Sequence, residues 1–88
     1  MKCQCTFTNR FKKSFKTLNQ NEKKQFVKKL ELLSNNPMHP SLRTKRIRGT
    51  DNLFECSVNM DIRFIWYYKD ESLIIIADIG HHNILNQF

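Results

Sequence analysis

Residues 62–79, IRFIWYYKDESLIIIADI, decide the fold. Aromatic and β-branched residues crowd both ends of this stretch, and the polar run Lys69-Asp70-Glu71-Ser72 separates them. Such side chains pack well on a pleated backbone. The stretch therefore predicts two antiparallel strands, Ile62–Tyr68 and Leu73–Ile79, joined by a short hairpin connection. If Tyr68 and Leu73 flank the turn, Arg63 falls opposite Asp78 and Ile62 opposite Ile79. Cross-strand partners share a face, so Arg63, Ile65 and Tyr67 then lie with Asp78, Ile76 and Ile74. Extending the second strand adds Gly80 and His82 to the Arg63 face and sends His81 to the face of Ile62, Phe64 and Trp66. A bulge or a longer loop would alter this register.

Working outward, Asn52–Val58 reads as a further strand, and Lys2–Phe7 alternates as an opening one. Between them lie two helices. Asn9 can cap the first, whose apolar Phe11, Phe15 and Leu18 fall on one face. Asn19 starts the second, with Glu22 three residues on as an approximate capping box. Its apolar stripe is Phe26, Val27, Leu30 and Leu33, and its other face is almost all lysine. Asn35-Asn36-Pro37 stops it, because a residue before proline is pushed out of the helical region. Met38–Arg43 is a connector. The order β-α-α-β-β-β predicts a single α+β domain over residues 1–88, with two N-terminal helices packed on a mostly antiparallel twisted sheet. The opposite face of the sheet is left as a working surface.

Composition narrows the function classes. The 88 residues, 40% hydrophobic with two Gly and two Pro, suit one folded domain rather than a disordered segment. The longest apolar run, Leu73–Ala77, is too short for a membrane span, and no apolar segment with a cleavage site follows Lys2. Three cysteines, Cys3, Cys5 and Cys56, are an odd number, which with no secretion signal favours reduced thiols in the cytoplasm. Cys3 and Cys5 would make half of a metal site whose other half is missing. Strand alternation puts both on one face with Phe7, which suits small core residues. No metal and no cofactor is expected.

The net charge of +7 is unevenly spread. Residues 1–50 hold thirteen basic and two acidic residues, a balance of +11, and residues 51–88 hold two and six, a balance of −4. Such asymmetry points first to nucleic acid and second to an anionic membrane surface. Residues 39–49, HPSLRTKRIRG, pack Arg43, Lys45, Arg46 and Arg48 into six positions, a composition suited to phosphate contacts or to a solvated basic loop. An arginine and a histidine converging beside it would suit RNA cleavage. Imidazole moves protons near neutral pH, and guanidinium matches phosphoryl oxygens with paired donors. The plainer alternatives are an Arg63–Asp78 ion pair and surface histidines. Trp66, Tyr67 and Tyr68 suit base stacking or the core, with Trp66 assigned to the core.

HPSLRTKRIRG, FECSVNMDIRFIWYY, a short turn, LIIIADIGHH and an aromatic terminus together resemble the RelE/ParE superfamily of toxins over nearly the whole chain. ECSVNMDI is most similar to the YafQ-like subgroup, and the pattern L-x(4)-I-x-G at Leu42–Gly49 and the terminal Gly-His-His support it. The resemblance implies a type II toxin that cuts mRNA in the ribosomal 30S A site without a metal and is neutralised by a cognate antitoxin. It also implies the site. Lys45 falls where relatives place a basic residue or histidine four before the glycine, Asp61 on the acidic strand position, and Arg63 on a phosphate-contacting arginine. His82 matches a catalytic histidine or arginine; in a YoeB-like alignment His81 does instead. Phe88 matches a terminal aromatic that stacks on substrate, with Arg43, Arg46 and Arg48 as further RNA contacts. Ser57 departs from the family, standing where YafQ-like members carry histidine and RelE-like members a basic residue. Two other classes remain open: a ParE-like, non-nucleolytic inhibitor of DNA gyrase, and an RNA-binding regulatory module.

Overall fold

The computed structural model describes residues 3–82 and Ile84. Strand β1 (Gln4–Phe7) leads into helices α1 (Asn9–Phe15) and α2 (Gln20–Asn35). A 3-10 turn at Pro40–Leu42 follows, then β2 (Lys45–Arg46), β3 (Phe54–Ser57), β4 (Ile62–Asp70) and β5 (Leu73–His81). The five strands form one sheet in the order β1-β5-β4-β3-β2, with β1 parallel to β5 and the other pairs antiparallel. The two-helix α+β architecture is the predicted one. The additional strand, β2, is two residues of the basic segment recruited to the free edge of β3.

Local chemistry sets the helices. The Thr8 hydroxyl accepts from the Phe11 amide at the start of α1 (3.0 Å). Asn19 and Glu22 make the full capping box, each side chain accepting from the other's backbone amide (2.8 and 2.9 Å). Phe11, Leu18, Phe26 and Leu33 are buried against Ile62, Phe64, Trp66, Ile74, Ile76 and Ile79 in the main core. Val27, assigned above to the buried stripe, is exposed. No helix among the described residues is long and apolar enough to cross a membrane.

The central hairpin departs from the predicted register. Asp70 pairs with Leu73, so the turn is Glu71-Ser72 alone, and Arg63 lies opposite Gly80 rather than Asp78. Ile62 lies opposite His81, not Ile79. A bulge then places Ile65 opposite Asp78 but Trp66 opposite Ile76, leaving Ala77 as the extra residue. Ala77 and Asp78 therefore both sit on the Arg63 side, and Ile74 and Ile76 turn to the helix side with Trp66. Strict alternation over residues 73–79 would have driven Asp78 into the helix-side core; the bulge removes that conflict. The face opposite the helices is partly covered: Ile47, Ile65 and Ile84 form a second buried cluster with Leu53 and Ala77. Cys56 is fully buried, accepts from Trp66 Nε1 (3.1 Å) and touches the Thr44 hydroxyl (3.2 Å), and burial pushes its thiol pKa up.

Candidate active site

The turn between β3 and β4 is organised by Asn59. Its side-chain oxygen accepts from the Asp61 and Ile62 amides (2.8 and 2.7 Å), and its side-chain nitrogen donates to Gln25 Oε1 on α2 (2.7 Å). Its backbone carbonyl accepts from Arg63 Nη1 at 2.6 Å. One residue thus fixes the turn to itself, to the helix layer and to the arginine of β4. Nothing in the sequence reading singled out Asn59; an asparagine three residues before a strand was its signal.

Asp61, presented by this turn, meets the end of β5. His81 Nδ1 lies 2.6 Å from Asp61 Oδ2 and His82 Nδ1 3.3 Å from Asp61 Oδ1. Both imidazoles come to one carboxylate although their strand parity differs, because Asp61 stands in the turn beyond the ladder. Hydrogen bonds from His81, then from His82, hold the Asp61 carboxyl below its ordinary value. An ionised carboxylate only accepts, so Nδ1 carries the proton on each ring and Nε2 is turned away from Asp61. The three side chains are exposed, as groups must be to meet a macromolecular substrate.

The other predicted residues distribute around this cluster. Ser57, Arg63 and Gly80 form one cross-strand row on the face opposite the helices. Lys45, Glu55, Ile65 and Asp78 form the adjacent row on the same face. Lys45 Nζ is 3.4 Å from Glu55 Oε1; Glu55 is buried, and its Oε2 has no partner among the described residues. Arg63 does not pair with Asp78. Arg10 of α1 does so instead, at 2.8 Å. Arg46 alternates to the opposite face, with its guanidinium 5.8 Å from the centre of the Phe54 ring, so the structure does not bring it to the cluster. Arg48 is exposed in the loop after β2, and Arg43 is exposed at the end of the 3-10 turn. Phe88 lies outside the described residues. Trp66 is buried, as assigned from the sequence. Gly80 has no side chain opposite Arg63, and Ile84 fills that space: a Cβ there would stand 3.2 Å from Ile84 Cδ1.

Comparison with known proteins agrees with this architecture. A family profile, "ParE toxin of type II toxin-antitoxin system, parDE", matches residues 6–85. Comparison with curated proteins gives no match. Among solved structures, the fold is similar to the archaeal RelE–RelB complex from Pyrococcus horikoshii OT3 (18% identity, 96% of this chain and 99% of that one, TM-score 0.75). It is similar to the RelBE2 toxin–antitoxin complex from Mycobacterium tuberculosis (20% identity, 93% and 100%, TM-score 0.77). It is also similar to YafQ from E. coli strain BL21(DE3) (17% identity, 94% and 97%, TM-score 0.77). With the profile spanning nearly the whole chain and the fold matching end to end, this protein belongs to the ParE toxin family of type II toxin–antitoxin systems, within the RelE/ParE superfamily.

Proposed function

We propose that this toxin is a ribosome-dependent endoribonuclease that cleaves mRNA by attack of a 2′-hydroxyl on the adjacent phosphate. The observation that carries this reading is Asp61 holding two imidazoles by Nδ1, two residues before Arg63. The reaction needs a base for the 2′-hydroxyl, a donor for the departing 5′-oxygen, and positive charge at the phosphorane between them. An Nε2 lone pair on one histidine takes the first proton. The other histidine, protonated, supplies the second, and the products are a 2′,3′-cyclic phosphate and a 5′-hydroxyl. His82, which follows the end of β5 two residues after Gly80, the partner of Arg63, takes the leading role, with His81 as its partner. Asp61 orients both rings and stabilises the imidazolium that forms, Arg63 and Lys45 face the phosphoryl oxygens, and the reaction asks for no metal. Arg43 and Arg48 add backbone contacts, and Phe88 a stacking contact. The partners are mRNA in the ribosomal A site and a cognate antitoxin that covers this surface, and the compartment is the cytoplasm.

A second reading, a non-nucleolytic inhibitor of DNA gyrase, is favoured by the ParE description of the family profile. It has no use for the histidine pair. Expression of the wild type beside an Arg63→Ala/His81→Ala/His82→Ala variant separates the two, with growth followed and mRNA 5′ ends mapped in the reading frame. The nuclease gives arrest with codon-phased cuts that vanish in the variant. Arrest without cuts, persisting in the variant, rejects it in favour of the second reading.

A further inference from the structure

On the α2 side of the β3–β4 turn lies a groove of about 320 Å³. Lys29 and Arg43 bring two cations to its wall, Ser41 and Ser57 two hydroxyls, and Asn59 an amide; among the described residues no carboxylate lines it. The wall is built rather than loose. Lys29 is half-buried on α2, and its Nζ donates to the Ser41 carbonyl at 3.0 Å. His39 Nδ1 accepts from the Ser41 amide (3.1 Å), and the Thr44 hydroxyl donates to the Pro37 carbonyl (2.6 Å). Arg43 closes the 3-10 turn in the left-handed region, at φ 51° and ψ 44°. Glycine occupies that conformation without a Cβ penalty, yet here an arginine stands in it and lines the groove.

The groove and the histidine pair flank the same turn. Asn59 and Met60 line the groove, and Asp61, the next residue, holds His81 and His82. Met60, at the tip between them, is 93% exposed, an apolar surface on which a base can rest. We infer that the groove is a phosphate subsite for single-stranded RNA, holding the backbone phosphate next to the one cut at the histidine pair. The inference rests on the nuclease reading for its place in the reaction, but its ligand chemistry stands apart. Two cations, one of them held on the Ser41 carbonyl, with hydroxyl and amide groups beside them suit the several oxygens of a phosphodiester, and a strand crossing Met60 would meet both sites in turn.

The test uses the cleavage-deficient His81→Ala/His82→Ala protein and a short fluorescein-labelled single-stranded RNA, with affinity measured across a salt series. Adding Arg43→Gly or Lys29→Met should weaken binding about tenfold each and lower the slope of log K against log salt by about one, the signature of a lost phosphate contact. Lys69→Ala, beside the distant β4–β5 turn, should change neither. Arg43→Gly relieves a left-handed backbone and Lys29→Met keeps the aliphatic stem, so melting temperatures should show both variants folded. Unchanged affinity and slope in both variants overturns the subsite, including the outcome in which they weaken only capture of an acidic antitoxin peptide. RNA binding lost in both variants, from a protein whose wild type makes no codon-phased cuts, upholds the subsite and rejects the nuclease reading instead.

Discussion

Asp61 is reached by both histidines through the same ring nitrogen, so a single carboxylate sets the orientation of two imidazoles. Asp61→Asn keeps the shape and removes the charge. At this exposed position it should leave the protein folded and, on the nuclease reading proposed above, lower codon-phased cleavage by about 10- to 100-fold, the scale of losing an outer group that orients an acting side chain. The same carboxylate gives a pH signature. Its folded-state pKa is held below the ordinary 3.8 by the histidine hydrogen bonds, so its stabilising contribution is fully present above that value. The contribution disappears as pH falls through the lower folded-state pKa. Urea titrations down a pH series should show a steeper acid loss of stability for wild type than for Asp61→Asn; equal slopes would contradict the arrangement. Asn59 works one step back. Asn59→Ala loses the three hydrogen bonds made by its side chain and should cost roughly 2 kcal/mol and displace Asp61; Asn59→Asp keeps the turn acceptor and should recover part of both.

At the scale of elements, α2 carries its own start signal and its own docking face, and the two can be separated. Asn19→Ala removes the capping box at the exposed end and should cost about 1 kcal/mol. Leu33→Ala empties a fully buried position under the same helix and should cost about 2–5 kcal/mol. Denaturant midpoints rank the two, and a capping effect as large as the core effect would mean that α2 is not held chiefly by packing. The β4–β5 hairpin was legible as two strands from its aromatic and β-branched residues. Its register was not, because a two-residue turn and a bulge at Ala77 are decided by which side chains the helices must bury. Ile79 reaches the core only if one residue is spent out of alternation before it.

Across the whole molecule, the first helix and the last strand are tied by Arg10 and Asp78, 68 residues apart in sequence. Asp78 is 4% exposed in its side chain, and its other oxygen accepts from the Ile79 amide. Arg10→Ala should destabilise by about 2 kcal/mol, since it strands a buried carboxylate, although the half-exposed arginine softens the loss. Asp78→Asn should cost less. Thermal melts at neutral pH compare them, and a larger loss for Asp78→Asn would show that the stranded charge is not the main term. This tie also explains why Arg63, the pairing partner suggested by a simple hairpin, is left to the working face.

The sequence by itself determined the two-helix α+β architecture, the capped start of α2 and most of the helix residues of the core, because periodicity, capping residues and β-branching act over a few neighbouring positions; it missed β2, named Asn9 where Thr8 caps α1, and put Ile74 and Ile76 on the wrong face. It also placed Asp61, Arg63, His81 and His82 in the same end of the domain through the family likeness. Only the tertiary structure decided that both histidines share Asp61, that Asn59 shapes their turn, that Arg46 packs on Phe54 away from them, and that Asp78 belongs to Arg10. Apart from the local turn at Asn59, each of those contacts joins residues from different elements or hinges on a bulge. Its outcome depends on how sheet and helices fill shared space, which no local pattern encodes.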